Sequence, residues 1–140
     1  MAAPRYTFFV YGTLMEPHVL SLVSGERFDA VRLRPAVLPD YRRVRVADAT
    51  YPGIYPSEGS KVEGCLVRGL REGAVRRIDA FENDGYDRHN LQVISGHGTP
   101  VKAAAYVASS RMKLTDENWD FEDWRENHRQ AFLVRLRGRR

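Results

Sequence analysis

Several features that assign a protein to a broad class are missing from this sequence of 140 residues. Its single cysteine, Cys65, cannot form an intrachain disulfide, so nothing indicates an oxidising compartment. No apolar run approaches the roughly 18 residues that cross a bilayer. Residues 1–5 lack the charged-then-apolar layout of a secretory signal. These absences predict a cytoplasmic protein with no membrane partner.

The common cofactor and nucleophile motifs are also absent. The chain has no Gly-x-Gly-x-x-Gly, no Walker phosphate loop and no Gly-x-Ser-x-Gly elbow. Cys65 lies in an apolar strand segment, which favours a small core residue over a nucleophile. The four histidines have no metal-binding spacing; they are His18, His89, His97 and His128. We therefore expect no metal site and no cofactor.

The charge is unevenly distributed along the chain. The formal net charge of +4 and the pI near 9.5 would be typical of a nucleic-acid-binding protein. However, four arginines lie within residues 135–140, and the other residues carry 18 basic and 18 acidic side chains. We expect residues 135–140 to form a basic tail and expect no nucleic-acid partner. Nucleic-acid binding through that tail is the alternative, although no aromatic residue interrupts it.

The periodicity of apolar residues predicts one α+β domain over residues 1–140, with its core at about 6–134. A helix should begin at Glu16-Pro17 and end at Gly25. Residues 51–60 are turn-rich and predict a loop. Strands are predicted at 6–11, 28–33, 36–46, 61–67, 91–94 and 101–107. Two further helices are predicted at 71–81 and 118–134. This order favours a mainly antiparallel curved sheet or small barrel with helices packed on it.

Two segments contain candidate functional residues. In the first, Val10-Tyr11-Gly12-Thr13-Leu14-Met15, a buried strand leads through Gly-Thr into the first helix. Consecutive backbone N–H groups at such a turn suit an anion or a developing oxyanion.

The second segment, residues 78–88, ends the helix predicted at 71–81. Glu82 lies at the C-terminus of that helix, where the helix dipole disfavours a carboxylate and raises its pKa. A carboxyl group of raised pKa suits a general base. Asp79, Asp84 and Asp87 are rival candidates for this role.

Together these motifs resemble the γ-glutamylcyclotransferase-like superfamily, in particular its plant avirulence-induced-protein-like branch. The resemblance rests on Val-Tyr-Gly-Thr-Leu at 10–14 and on Ile-Asp-x-Phe-Glu-x-x-x-Tyr-x-Arg at 78–88. Residues 52–64 resemble the family's middle strand pair, and residues 118–124 resemble the acidic and aromatic start of its C-terminal helix. The resemblance spans residues 6–134.

The resemblance implies a small closed, mainly antiparallel β-barrel with flanking helices and no cofactor. It also implies that a γ-glutamyl amino acid or γ-glutamyl amine is the small-molecule substrate, and that 5-oxoproline is released. By motif, Glu82 would be the catalytic carboxylate, and Tyr86 and Arg88 would lie near the pocket. The loop that holds the γ-glutamyl group would be formed by Val10, Tyr11, Gly12, Thr13, Leu14 and Met15.

Several alternatives remain open at this point. Many family members have glycine after the catalytic Glu, whereas this chain has Asn83. A barrel that binds a small molecule without turnover is the alternative function. The sequence leaves open the leaving group, the oligomeric state and the aromatic residues of the pocket wall. The candidates for that wall are Tyr51, Tyr55, Tyr86 and Trp124.

Overall fold

The computed structural model describes residues 3–82 and 84–138, and within them it contains six strands, four α-helices and two 3₁₀ turns. The strands are β1 (Tyr6–Val10), β2 (Arg34–Val46), β3 (Pro52–Leu70), β4 (Tyr86–Ser95), β5 (Pro100–Ala108) and β6 (Leu114–Asn118). The helices are α1 (Pro17–Ser24), α2 (Glu72–Glu82), α3 (Phe121–Asn127) and α4 (Arg129–Gly138). The 3₁₀ turns are Thr13–Met15 and Ala30–Arg32.

Five strands close into a barrel. Their order is β3-β1-β5-β4-β2, and pairing of β2 with β3 closes the ring. β6 pairs with β2 outside the ring. The pairings are antiparallel except for β1 with β5, which run parallel where Phe8 lies beside Ala104. The predicted α+β fold, a small closed and mainly antiparallel barrel with flanking helices, is confirmed.

Apolar side chains form two layers because successive residues of a strand point to opposite faces. On β1, Phe9 points into the barrel, while Phe8 and Val10 point toward the helices. We call the inner layer the barrel core; its fully buried members include Phe9, Leu38, Ile54, Val62, Leu66, Val93 and Ala105. We call the outer layer the helix-side core; it includes Phe8, Leu20, Leu70, Ile78, Trp119, Trp124 and Leu133.

The first two helices agree with their predicted positions. The Glu16 side chain accepts a hydrogen bond from the Val19 N–H at 3.0 Å and caps α1, and Pro17 takes the first helical position. Gly25 ends the helix with a φ of 76°, in the left-handed region that glycine favours. α2 runs to Glu82 and buries Ala74, Val75 and Ile78.

The predicted strand at 28–33 is wrong. Its centre is the 3₁₀ turn Ala30–Arg32, in which the Asp29 carboxylate accepts a hydrogen bond from the Val31 N–H at 3.1 Å. Such local bonding competes with strand pairing. Arg32 then bonds the Arg68 carbonyl at 3.0 Å, which fastens this turn to β3.

The predicted loop at 51–60 is also wrong, because most of it is the first half of β3. This strand pairs with β2 from Pro52 beside Arg45 to Leu66 beside Arg34. The irregularity lies midway along the two strands, between Pro39 and Tyr41, where Asp40 has a φ of 64° and accepts a hydrogen bond from the Gly59 N–H at 3.0 Å. Pairing between distant residues overrides the turn propensity of the prolines.

The single helix predicted at 118–134 is wrong at both ends. Residues up to Asn118 belong to β6, and α3 begins after Asp120, which accepts a hydrogen bond from the Asp123 N–H at 2.9 Å. The helix breaks at His128 and resumes as α4. Residues 135–138 therefore continue a helix and are not a tail, while Arg139 and Arg140 lie outside the described residues. Within residues 3–82 and 84–138, no helix has the length and apolar character needed to cross a membrane.

Candidate active site

A cavity of about 650 Å³ opens where β1 leaves the barrel and α2 ends. Its walls are mainly aromatic and aliphatic, with two carboxyl groups and one guanidinium group. They come from residues 9–14 and from Tyr51, Pro52, Phe81, Glu82, Asp84, Tyr86, Tyr106, Phe132, Arg135, Leu136 and Gly138. A largely apolar cavity with a few polar groups is typical of a small-molecule site.

The loop after β1 lines this cavity with Gly12, Thr13 and Leu14. The carbonyls of Gly12 and Thr13 accept hydrogen bonds from Met15 and Glu16 at 3.0 and 3.1 Å. Among the hydrogen bonds of the described residues, none has the N–H of Gly12, Thr13 or Leu14 as donor. Because buried N–H groups are normally satisfied, these three can bind an anionic or carbonyl oxygen.

Arg43 holds the same loop from outside the cavity. Its guanidinium donates to the Tyr11 and Glu63 carbonyls, each at 2.8 Å, and lies 5.4 Å from the centre of the Trp119 ring. In a trans peptide the C=O and the following N–H point in opposite directions. Binding of the Tyr11 carbonyl by Arg43 therefore directs the N–H of Gly12 away from Arg43.

Glycine is required at position 12 by close packing. A Cβ atom there would lie 2.9 Å from Cγ of Pro52, which is tighter than carbon atoms normally approach. Pro52 is held in turn by Tyr86, whose hydroxyl donates to the Pro52 carbonyl at 2.6 Å. The Tyr-Gly-Thr loop thus lies directly against the start of β3.

Glu82, the last residue of α2, lines the cavity and is partly buried. Burial raises its pKa from 4.5 to about 8. Burial also raises the pKa of Tyr11 and of Tyr86 well above 10, and the nearby Glu82 adds to both shifts. The site therefore combines a carboxyl group that titrates near neutral pH with phenols that keep their protons.

Asp79 and its partners anchor the last turn of α2. The Tyr106 hydroxyl donates to one Asp79 oxygen at 2.6 Å, and Arg88 forms an ion pair with the other at 3.4 Å. The Tyr11 hydroxyl donates to the Tyr106 carbonyl at 2.5 Å. Since Asp79 precedes Glu82 by about one helical turn, these bonds tie Glu82 to β4 and β5.

The predicted site residues separate into two groups. Those that border the cavity are Val10, Tyr11, Gly12, Thr13, Leu14, Glu82 and Tyr86. Met15 instead packs against the helix-side core, and Arg88 lies outside the cavity with its guanidinium on Asp79. Asn83 lies outside the described residues.

The open question of the aromatic wall has an answer for the four candidates. Tyr51 and Tyr86 line the cavity. Tyr55 instead bonds Arg42 at 3.4 Å, and Trp124 is 1% exposed within the helix-side core. Among the rival carboxylates, Asp84 also borders the cavity. Asp79 instead bonds Tyr106 and Arg88, and Asp87 is exposed on β4.

Sequence reasoning missed Tyr106 and the contribution of α4. Tyr106 lies in an apolar strand that carries no motif. Phe132, Arg135 and Leu136 share one face of α4. Their spacing indicates such a face only if the helix continues beyond residue 134, where the predicted helix ended. In the described part of the chain, no group of three or more His, Cys, Asp or Glu side chains is arranged to hold a metal ion.

Comparison with known proteins gives a consistent result. Residues 8–126 match the family described as gamma-glutamyl cyclotransferase, AIG2-like. Protein AIG2 C of Arabidopsis thaliana is 31% identical over 135 residues, which cover 94% of this chain and 79% of that protein. An Arabidopsis thaliana protein solved in solution superposes with a TM-score of 0.72 at 29% identity, covering 98% of this chain and 82% of its own. A structure named gamma-glutamyl cyclotransferase shares the fold, with a TM-score of 0.63 at 14% identity over 96% and 87% of the two chains.

Proposed function

Because the chain belongs to the AIG2-like gamma-glutamyl cyclotransferase family, we propose that it releases 5-oxoproline from a γ-glutamyl amino acid or γ-glutamyl amine. The observation that carries the proposal is the cavity itself. The same cavity is lined by Glu82, whose pKa is raised by burial, and by Gly12, Thr13 and Leu14, whose N–H groups donate no hydrogen bond within the described residues. A base beside hydrogen-bond donors is what an intramolecular acyl transfer needs.

In this reaction the substrate supplies its own nucleophile. The Glu82 carboxylate takes a proton from the substrate α-ammonium, and the freed amine attacks the γ-carbonyl carbon. A C–N bond forms and closes a five-membered ring, while the carbonyl π electrons move to oxygen. Glu82 passes its proton to the leaving nitrogen, the bond from that nitrogen to the carbonyl carbon breaks, and the oxygen electrons re-form the C=O bond. The ring nitrogen then gives its second proton to the released amine, which leaves as an ammonium ion. Atoms balance without a co-reactant, and the enzyme's main task is to fold the substrate for attack.

The loop after β1 has the complementary role. The N–H groups of Gly12, Thr13 and Leu14 would bind the substrate α-carboxylate or the developing oxyanion, and one good oxyanion donor contributes about 3 kcal/mol. Tyr11, Tyr51 and Tyr86 form walls that limit access of water to the reacting atoms. Arg43 and Pro52 keep the loop in position through the contacts described above. A cytoplasmic location and independence from cofactors remain predictions.

The role of Glu82 is tested by Glu82→Gln. We expect 5-oxoproline release to fall by roughly 10²–10⁴-fold, because the amide cannot accept the ammonium proton. The assay should compare γ-glutamyl amino acids, γ-glutamyl amines and γ-glutamyl-ε-lysine. Glu72→Gln, the same change in the exposed first turn of the same helix, is the matched control and should retain activity.

Two results would contradict the proposal in different ways. Full activity of Glu82→Gln would remove Glu82 from the mechanism while leaving the activity in place. A wild-type protein that binds 5-oxoproline or glutamate in calorimetry, yet turns over no member of the panel, would instead establish the barrel as a binding module.

A further inference from the structure

Arg135 gives the cavity a positively charged group at its exposed side. Of the described residues that line the cavity, it is the one basic side chain, and the two acidic ones are Glu82 and Asp84. Phe132 and Leu136, on the same face of α4, also line the cavity. The face of α4 that carries Arg135 is therefore directed toward the site.

The Arg135 guanidinium is available to a ligand. Within residues 3–82 and 84–138, no carboxylate lies within ion-pair distance of it. By contrast, Arg129 at the start of the same helix pairs with the buried Glu16 at 3.4 Å. The two arginines of α4 thus differ: Arg129 forms an ion pair within the protein, and Arg135 lines the cavity.

The base of Arg135 is held firmly beside the cavity. Leu133 is 2% exposed and fixes α4 in the helix-side core. The Phe132 ring makes edge contacts with Trp124 and Phe81, with ring centres 5.6 and 6.3 Å apart. Only the outer part of the Arg135 side chain must become ordered when a ligand binds, which lowers the entropic cost.

The position of Arg135 determines which part of the substrate it can meet. In a γ-glutamyl substrate the α-amino and α-carboxylate groups share one carbon, so both must lie near Glu82 and the loop after β1. The leaving group extends from the γ-carbonyl at the other end of the molecule. Glu82 is partly buried, whereas Arg135 is exposed. A leaving group that extends from Glu82 toward solvent would therefore pass the exposed Arg135, which lines the same cavity.

We propose that Arg135 binds a carboxylate of the leaving group, so that this protein prefers γ-glutamyl amino acids to γ-glutamyl amines of the same size. The inference rests on the function proposed above and makes it more specific. Arg135 would be a specificity-determining residue that takes no part in proton transfer.

The test uses two substrates that differ only in that carboxylate, γ-glutamylalanine and γ-glutamylethylamide. We expect the wild type to prefer γ-glutamylalanine by about tenfold in kcat/KM, as for one hydrogen-bonded charged group at a solvent-accessible site. Arg135→Gln should reduce this ratio to about one, mainly through KM for γ-glutamylalanine. Arg135→Lys should restore part of the ratio, and rising ionic strength should lower it.

Arg137→Gln is the matched control, because Arg137 is exposed on the same helix and does not line the cavity. Its ratio should equal that of the wild type. Equal turnover of both substrates by the wild type, or a ratio unaltered in Arg135→Gln, would overturn the role of Arg135 while the cyclotransferase function stands. If the wild type releases 5-oxoproline from neither these substrates nor the wider panel, the proposed function itself fails, and this inference fails with it.

Discussion

Glu82 shows how its surroundings set the chemistry of one residue. Its position at the end of α2 predicts a raised pKa through the helix dipole, but that effect is typically 0.3–1 kcal/mol, or less than one pKa unit. The rise from 4.5 to about 8 is several times larger and follows from burial of the carboxyl. The sequence therefore predicted the direction of the shift, whereas its main cause depends on the fold around Glu82.

A pH profile tests this assignment at the residue scale. Because the carboxylate form of Glu82 must accept the proton, kcat/KM should rise about tenfold per pH unit and level off above a pH of about 8. The measurement is 5-oxoproline release from γ-glutamylethylamide in buffers of constant ionic strength. A half-maximal pH near 4.5 would show that the functional base is a carboxylate of ordinary pKa.

Glu82 should also affect the free energy of unfolding, which should fall as the pH rises, whereas kcat/KM should rise. Between the unfolded pKa of 4.5 and the folded pKa of about 8, the native state holds the Glu82 proton more tightly than the unfolded state does. The contribution of Glu82 to the free energy of unfolding is therefore fully present below pH 4.5 and is lost as the pH rises toward 8. In Glu82→Gln the loss of stability between pH 4.5 and about 8 should disappear. The comparison with the wild type therefore distinguishes the effect of Glu82 from the effects of other titrating groups.

At the element scale, the helices and strands that were predicted correctly are those determined by residues close together in the sequence. The start and end of α1 depend on Glu16, Pro17 and Gly25, which all lie within or next to the helix. The first half of β3 depends instead on β2, since Pro52 and Pro56 are strand residues only because Arg45 and Tyr41 pair with them. No local pattern in residues 51–60 contains that pairing.

The candidate site divides in the same way. The loop at 10–14 and Glu82 follow short motifs in contiguous sequence, so they could be proposed before the fold was known. The contribution of α4 could not, because it requires the break at His128 that turns the chain between α3 and α4. Without that break, the spacing of Phe132 and Leu136 predicts only an amphipathic helix.

Glu16 connects two of these elements and supports a prediction about them. Its carboxylate, which is 5% exposed, caps α1 through the Val19 N–H and also pairs with Arg129 of α4. We expect Glu16→Ala to lower the free energy of unfolding by about 1–2 kcal/mol, as for loss of a helix cap. Urea denaturation measures this value. Glu58→Ala, at an exposed position of the β2–β3 hairpin, should change it by less than about 0.5 kcal/mol; equal effects of the two substitutions would contradict the capping role.

At the scale of the whole molecule, the charge of +4 has a different meaning once the C-terminal arginines are located. Arg135 and Arg137 belong to α4, and Arg135 faces the cavity. The positive charge of α4 is therefore partly directed at the candidate active site. That nucleic acid is not a partner stays a prediction, to be checked by an electrophoretic shift at physiological salt.

The two apolar layers bear on the prediction of a single domain. β1 contributes to both, since Phe9 lies in the barrel core while Phe8 lies in the helix-side core. A loss of packing on one face of this strand must disturb the backbone that holds the other face. We therefore expect the barrel and the helices to unfold as one cooperative unit.

A matched pair of substitutions tests this cooperativity. Ile54→Val removes a methyl group from the barrel core, and Ile78→Val removes one from the helix-side core; both side chains are fully buried. Each should lower the free energy of unfolding by about 1 kcal/mol. Far-UV circular dichroism reports on the whole fold, whereas the fluorescence of Trp119 and Trp124 reports on the helix-side core. In a single domain the two probes shift together for both variants; if Ile54→Val lowered the dichroism midpoint without moving the fluorescence midpoint, the two layers would unfold separately.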